Sequence, residues 1–119
     1  MKNLIYIPII LLIIFACEKE STIVKVQYKV RKAYSETEIT YRDVEKNLKT
    51  EMVDFQSGED VWQYSFEGEK GDIVYISTRY VDSTSSVKVQ VLLDGKIYKE
   101  GSSNNEPGIY VTISGTIPY

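Results

Sequence analysis

The sequence predicts an all-β domain, an antiparallel sandwich, behind an N-terminal signal peptide. Three observations carry this. Short runs alternate apolar and polar residues with period two, the pattern of half-buried strands. Their apolar positions are mostly β-branched or aromatic, and such residues suit a pleated, half-buried surface. Turn residues punctuate the runs at short intervals, as in sandwiches and barrels.

The elements follow in order. IVKVQYKV puts Val24, Val26, Tyr28 and Val30 on one face and Lys25, Gln27 and Lys29 on the other. TEITY repeats the alternation with Thr37, Ile39 and Tyr41. LKTEMVDF is a weaker run whose register the pattern does not fix. VWQYSF aligns Trp62, Tyr64 and Phe66, which are expected in the core. IVYISTRY is strongly β-prone, with either face able to point inward. VKVQVLL aligns Val87, Val89, Val91 and Leu93, KIYKE is a short run, and IYVTISGTI aligns Ile109, Val111 and Ile113. Residues 43–47 supply one helical turn at most.

Gln56-Ser57-Gly58, Gly68 to Asp72, Asp94-Gly95 and Pro107-Gly108 are the turn signals. Asp94-Gly95 predicts the clearest hairpin, because a type I′ turn needs positive φ at both central residues. Asp82–Ser86 and Gly101–Gly108 read as exposed loops. Seven or eight strands joined in this way make an immunoglobulin-like sandwich the expected form.

The N-terminus speaks to location. Met1-Lys2-Asn3 is short and positive, and Leu4 to Phe15 carries no charge. A charged start, an apolar run of about 7–15 residues and a small residue before the cut describe a secretory signal peptide. A membrane span needs roughly 20 apolar residues, and Pro8 disfavours a continuous helix. Ile14-Phe15-Ala16-Cys17 resembles the lipobox of bacterial lipoproteins. That resemblance implies a diacylglycerol on the Cys17 thiol and cleavage before it, although Ile and Phe at its first two positions are less usual there. The alternative is an uncleaved anchor with an incidental cysteine. The expected organisation is a signal peptide at 1–16, lipidated Cys17 with a short tether at 17–22, and a β-sandwich at 23–119. Two or more acyl chains give stable anchoring. At ~3.3 Å per residue the tether from Glu18 to Thr22 reaches about 17 Å, so the domain sits near the bilayer. Glu18-Lys19-Glu20 looks like the acidic signal that sends some lipoproteins to the cell surface; an ordinary linker is the alternative. The expected location is the bacterial outer membrane, with the domain surface-exposed or periplasm-facing.

Composition excludes several functions. Removing Lys2 from 14 basic residues leaves 13 against 17 acidic ones. Phosphate neutralisation needs clustered Lys and Arg, so no nucleic-acid partner is expected. An acidic domain is also poorly suited to lie flat on anionic lipid headgroups. There is no His, which removes Ser-His-Asp and Cys-His nucleophilic sites. Cys17 is the lone cysteine and forms no disulfide framework. Glu36/Glu38 and Glu59/Asp60 are paired carboxylates, but a strand face and a turn do not set them across a cleft, as glycoside hydrolysis requires. Asp82-Ser83-Thr84 and Asn104-Asn105-Glu106 lack the spacing of a calcium loop. The expectation is no enzyme, no metal and no cofactor.

VQYKV, TEITY, VWQYSF and VQVLLDGKIYKE, in that order, resemble the MmpS family of small envelope proteins, which accompany transporters of the RND type. Tyr28, Val30, Ile39, Tyr41, Trp62, Asp94 and Gly95 occupy the matching positions. The resemblance implies the sandwich and an accessory role beside a transporter. Two departures stand against the transporter role: a lipobox replaces the usual transmembrane anchor, and the cysteine pair of some members is missing.

The sequence thus predicts a non-enzymatic lipoprotein, membrane-bound through lipid on Cys17 and acting on a protein partner in the cell envelope. The alternative is a surface-displayed module that binds glycan or peptide. Nine tyrosines remain once Tyr6 is removed with the signal. Cross-strand packing accounts for most of them; Tyr75, Tyr98 and Tyr110 are expected nearer the surface. Loops carry function more often than the strands that hold them. The candidate contacts are therefore Asp82–Ser86 and Gly101–Gly108, with Tyr80 and Tyr110 as aromatic anchors. By strand alternation, the loop before Glu36, 56–60 and 82–86 should not all lie at the same end as the 68–72 and 94–95 turns.

Overall fold

The computed structural model describes residues 22–106 and 108–119. The lipobox and the tether up to residue 21 lie outside the described residues, as does Pro107. Eight strands form: β1 (Ile23–Arg31), β2 (Glu36–Arg42), β3 (Leu48–Asp54), β4 (Val61–Glu69), β5 (Ile73–Tyr80), β6 (Ser86–Leu93), β7 (Lys96–Asn104) and β8 (Val111–Thr116). They pair antiparallel in two four-stranded sheets, β4-β1-β6-β7 and β3-β2-β5-β8. The predicted all-β sandwich is present, and no helix occurs among the described residues.

The period-two faces meet between the sheets. Val24, Val26, Tyr28 and Val30 of β1 and Val87, Val89 and Val91 of β6 are buried from one side. Thr37, Ile39 and Tyr41 of β2, Val74, Ile76, Thr78 and Tyr80 of β5, and Ile113 of β8 are buried from the other. This resolves β5, which turns its even-numbered residues inward and Tyr75, Ser77 and Arg79 outward. The weak run LKTEMVDF is the edge strand β3, pairing Glu36 with Asp54 through to Arg42 with Leu48. It has almost no buried face, so no alternation marks it.

β7 and β4 run further than the sequence reading placed them. Gly101 to Asn104 belong to β7, paired with β6 from Val89–Gly101 to Ser86–Asn104. The polar residues there are a solvated edge rather than a loop. Gly68 and Glu69 belong to β4, so that turn shrinks to Lys70–Asp72. Residues 43–47 form a tight turn in which the Asp43 carboxylate accepts the Glu45 and Asn47 N–H groups, both at 2.9 Å. The Asp94-Gly95 hairpin is present, with φ of 50° and 81° as a type I′ turn requires.

The two open sides of the sandwich are closed differently. Between Val91 and Leu92 the β6–β7 register slips, leaving Tyr98 as the extra residue of a bulge. From there β7 reaches across to β8. Tyr98 donates to the Thr116 carbonyl at 3.1 Å, and Lys99 to the Ser114 carbonyl at 3.0 Å. A Cβ at Gly115 would stand 2.6 Å from the Tyr98 hydroxyl, so a larger residue there would displace the Tyr98 ring from that crossing. On the other side rings fill the gap: Trp62 and Tyr64 of β4 pack on Tyr41 of β2 at centroid distances of 5.1 and 4.9 Å. Trp62, Tyr64 and Phe66 point inward as predicted, but β4 is an edge strand, so they are half-buried rather than central.

Candidate functional site

Each strand reverses direction, so the connections sort into two ends. One end holds Thr22, the 43–47, 70–72 and 94–95 turns, and the C-terminus. The opposite end holds 32–35, 55–60, 81–85 and 105–110. The predicted separation of loops from tight turns holds.

The second end is a rim of interlocked loops. Ser85 ties two of them together, accepting the Tyr34 N–H on its hydroxyl at 3.1 Å and the Asn105 N–H on its carbonyl at 2.9 Å. The Ser86 hydroxyl donates to the Lys32 carbonyl. Phe55 is buried beneath, its N–H reaching the Ser35 carbonyl at 3.4 Å. Asp82 folds its own turn by accepting from the Thr84 N–H at 2.9 Å and the Thr84 hydroxyl at 2.7 Å. Those two bonds hold its carboxyl below the ordinary carboxylate range. With both donors local, Asp82 is a turn-former rather than a ligand for a cation.

The two aromatic candidates separate here. Tyr110 is 56 % exposed, and the Arg79 guanidinium lies 5.4 Å from its ring centroid. Arg79 in turn pairs with Glu38 at 3.4 Å. The set Tyr110, Arg79 and Glu38 therefore offers an aromatic face, a forked donor and a carboxylate on one surface. Tyr80 does not reach that surface: it is wholly buried. It falls on the inward side of β5, where its hydroxyl shares a hydrogen bond with Ser103 at 3.0 Å and accepts the Glu106 N–H at 3.0 Å. Its carbonyl accepts the Gly108 N–H at 2.8 Å. Tyr80 is thus a post that holds the 105–108 loop, not a surface anchor. Tyr75 and Tyr98 are half-buried.

Next to Tyr110 lies a feature the sequence reading missed. On the outer face of the β3-β2-β5-β8 sheet, Thr50, Thr40, Ser77 and Thr112 fall in one cross-strand row. The Thr40 and Thr50 hydroxyls are 2.9 Å apart, and those of Ser77 and Thr112 are 2.8 Å apart. The four positions are distant in sequence, so only the strand register brings them together.

Ionisation is perturbed mainly at the other end. Tyr28 donates to the Arg42 carbonyl at 2.9 Å and accepts the Tyr75 N–H at 3.4 Å, linking the sheets. Burial pushes its hydroxyl up to about 12. Burial, with the Glu51 carboxylate accepting at 2.6 Å, raises Tyr41 further still. The Asp43 carboxyl lies below its usual range, because the Asn47 N–H and then Lys49 at 3.3 Å stabilise the charge. These are groups locked in one protonation state at neutral pH, which is a structural arrangement. Among the described residues no three His, Cys, Asp or Glu side chains cluster as metal ligands would.

No protein-family model matches the chain, and no curated protein matches it.

Proposed function

We propose that the chain is a non-enzymatic lipoprotein, anchored in the bacterial outer membrane through lipid on Cys17, whose immunoglobulin-like sandwich engages a protein partner at the loop rim. The observation that carries this reading is the opposition of the two ends. Thr22, where the tether joins, lies at one end, and the four-loop rim lies at the other. An anchor at Cys17 leaves the rim unobstructed. Tyr110 beside Arg79 is the aromatic–cationic pair at that rim, and Tyr and Arg are enriched among residues that dominate binding energy. The narrower form of the proposal, an accessory to an envelope transporter, rests on the MmpS resemblance alone.

A second reading has its own support. The hydroxyls of Thr50, Thr40 and Thr112 beside Tyr110, in a row that runs through the buried Ser77, sit with a ring face on one sheet surface, chemistry suited to a glycan. The test compares full-length wild type, Cys17→Ser and Tyr110→Ala in cells fed labelled palmitate, followed by cross-linking and capture from membranes. Label on wild type and Tyr110→Ala but not on Cys17→Ser, and a cross-linked protein lost in Tyr110→Ala, support the first reading. A membrane-bound wild type without label removes the lipid anchor. Capture of glycan that depends on Tyr110 moves the function to the second reading.

A further inference from the structure

The four sheet edges are not equally protected. Exposed edges template further strand pairing unless charges, bulges or covering segments blunt them. β7 carries the Tyr98 bulge, and β8 is covered by Tyr98 and Lys99. The inward rings of β4 are engaged in packing against Tyr41 and Tyr28. β3 carries the charges Lys49, Glu51 and Asp54, but it has neither a bulge nor a covering segment. It pairs with β2 over all seven residues without a register shift and contains no proline. It also exposes two large apolar side chains, Leu48 at 65 % and Met52 at 58 %.

The β3 sequence is complementary to itself in one register. In an antiparallel strand, backbone groups of alternate residues point to the free edge. A two-fold pairing must therefore centre on a residue. Centred on Thr50, LKTEMVD places Leu48 against Met52 and Lys49 against Glu51 of the second copy, with Thr50 against itself. Centring on Lys49 sets Lys against Lys, and centring on Glu51 sets Glu against Glu. Centring on Met52 puts Thr50 opposite Asp54 and leaves Leu48 unmatched. Only the Thr50 register joins apolar to apolar and cation to anion, and opposite charges directly across strands are stabilising while like charges are not.

We infer that two copies of this chain associate edge to edge through β3, antiparallel and centred on Thr50, forming one continuous eight-stranded sheet. The hydroxyl row then runs unbroken across both copies, from Thr112 of one to Thr112 of the other. The two-fold axis stands normal to the sheet, so the two rims point in opposite directions. The tether ends, opposite the rims, therefore also leave the pair in opposite directions, each from the sheet that holds β1.

Cysteine scanning tests this in the full-length chain carrying Cys17→Ser, in detergent solution with a mild oxidant. Cα atoms across an antiparallel pair stand about 4.5–5.5 Å apart, within the range a disulfide bridges. Thr50→Cys is expected to shift to twice the monomer mass on a non-reducing gel. Leu48→Cys and Met52→Cys should each stay monomeric alone and shift when combined. Thr112→Cys, on the opposite edge of the same sheet, should remain monomeric. Linking through Met52→Cys alone would put the register elsewhere and overturn the inference. So would equal linking at Thr112, or a Thr50→Cys chain that melts normally yet stays monomeric.

Discussion

Asp43 shows how one side chain can organise an end of the molecule. Its carboxylate is almost wholly enclosed, folds the 43–47 turn through two backbone N–H groups and pairs with Lys49. Because its folded pKa is depressed, its contribution to stability is present above the unfolded value near 3.8 and is lost as pH falls through the lower folded value. Asn keeps the accepting oxygen but not the charge. Asp43→Asn should therefore melt below wild type at neutral pH, and the two curves should converge as the solution is taken below about pH 4. Thermal melts across pH check this, and a gap that does not narrow as pH falls below 3.8 would locate the effect in something other than ionisation. Trp62 behaves differently because β4 is an edge. Full burial would make Trp62→Ala cost about 3–5 kcal/mol. Half-exposed and packed on Tyr41, it should cost less, and its native fluorescence should be partly quenchable by a soluble quencher.

At the scale of elements, the legible parts were those with one buried face. β1, β2, β4 and β6 alternate because one face meets the core, and their inward residues were readable one by one. β3 carried no such signal, since a strand with both faces in solvent needs no apolar period. β5 was recognisable as a strand but not orientable, because Ser77 and Thr78 are both buried and blur the alternation. The error over Tyr80 follows from the same ambiguity: on β5 the opposite orientation would have exposed it. The extension of β7 to Asn104 was hidden because its GSSN is loop-like in composition, and only pairing with β6 makes it a strand. Asp94-Gly95 was legible because the turn type dictates its residues. Gly95 has φ of 81° and open space around it, so Gly95→Ala tests conformation without a clash. The left-handed region costs an L-residue about 1–2 kcal/mol. For a domain of this size each kcal/mol lowers the melting temperature by about 4–8 °C, which calorimetry resolves.

For the whole molecule, the position of β1 matters beyond its share of the core. The chain enters the domain through a central strand, bonded to β4 from Ile23–Glu69 to Arg31–Val61 and to β6 from Val26–Leu93 to Arg31–Lys88. If Cys17 is held in a membrane and a partner grips the rim, tension between them runs along β1. Such a pull shears both ladders at once, so the bonds share the load instead of parting one after another as they would if the strand were peeled sideways. The domain should then act as a mechanical clamp. In single-molecule force spectroscopy, pulling Thr22 against a handle at Asn105 should give one high-force rupture. Pulling across β3, between Leu48 and Thr112, should give a lower one, because that geometry opens the sheet strand by strand. Equal forces in the two directions would mean that the tether's place in the sheet carries no mechanical advantage.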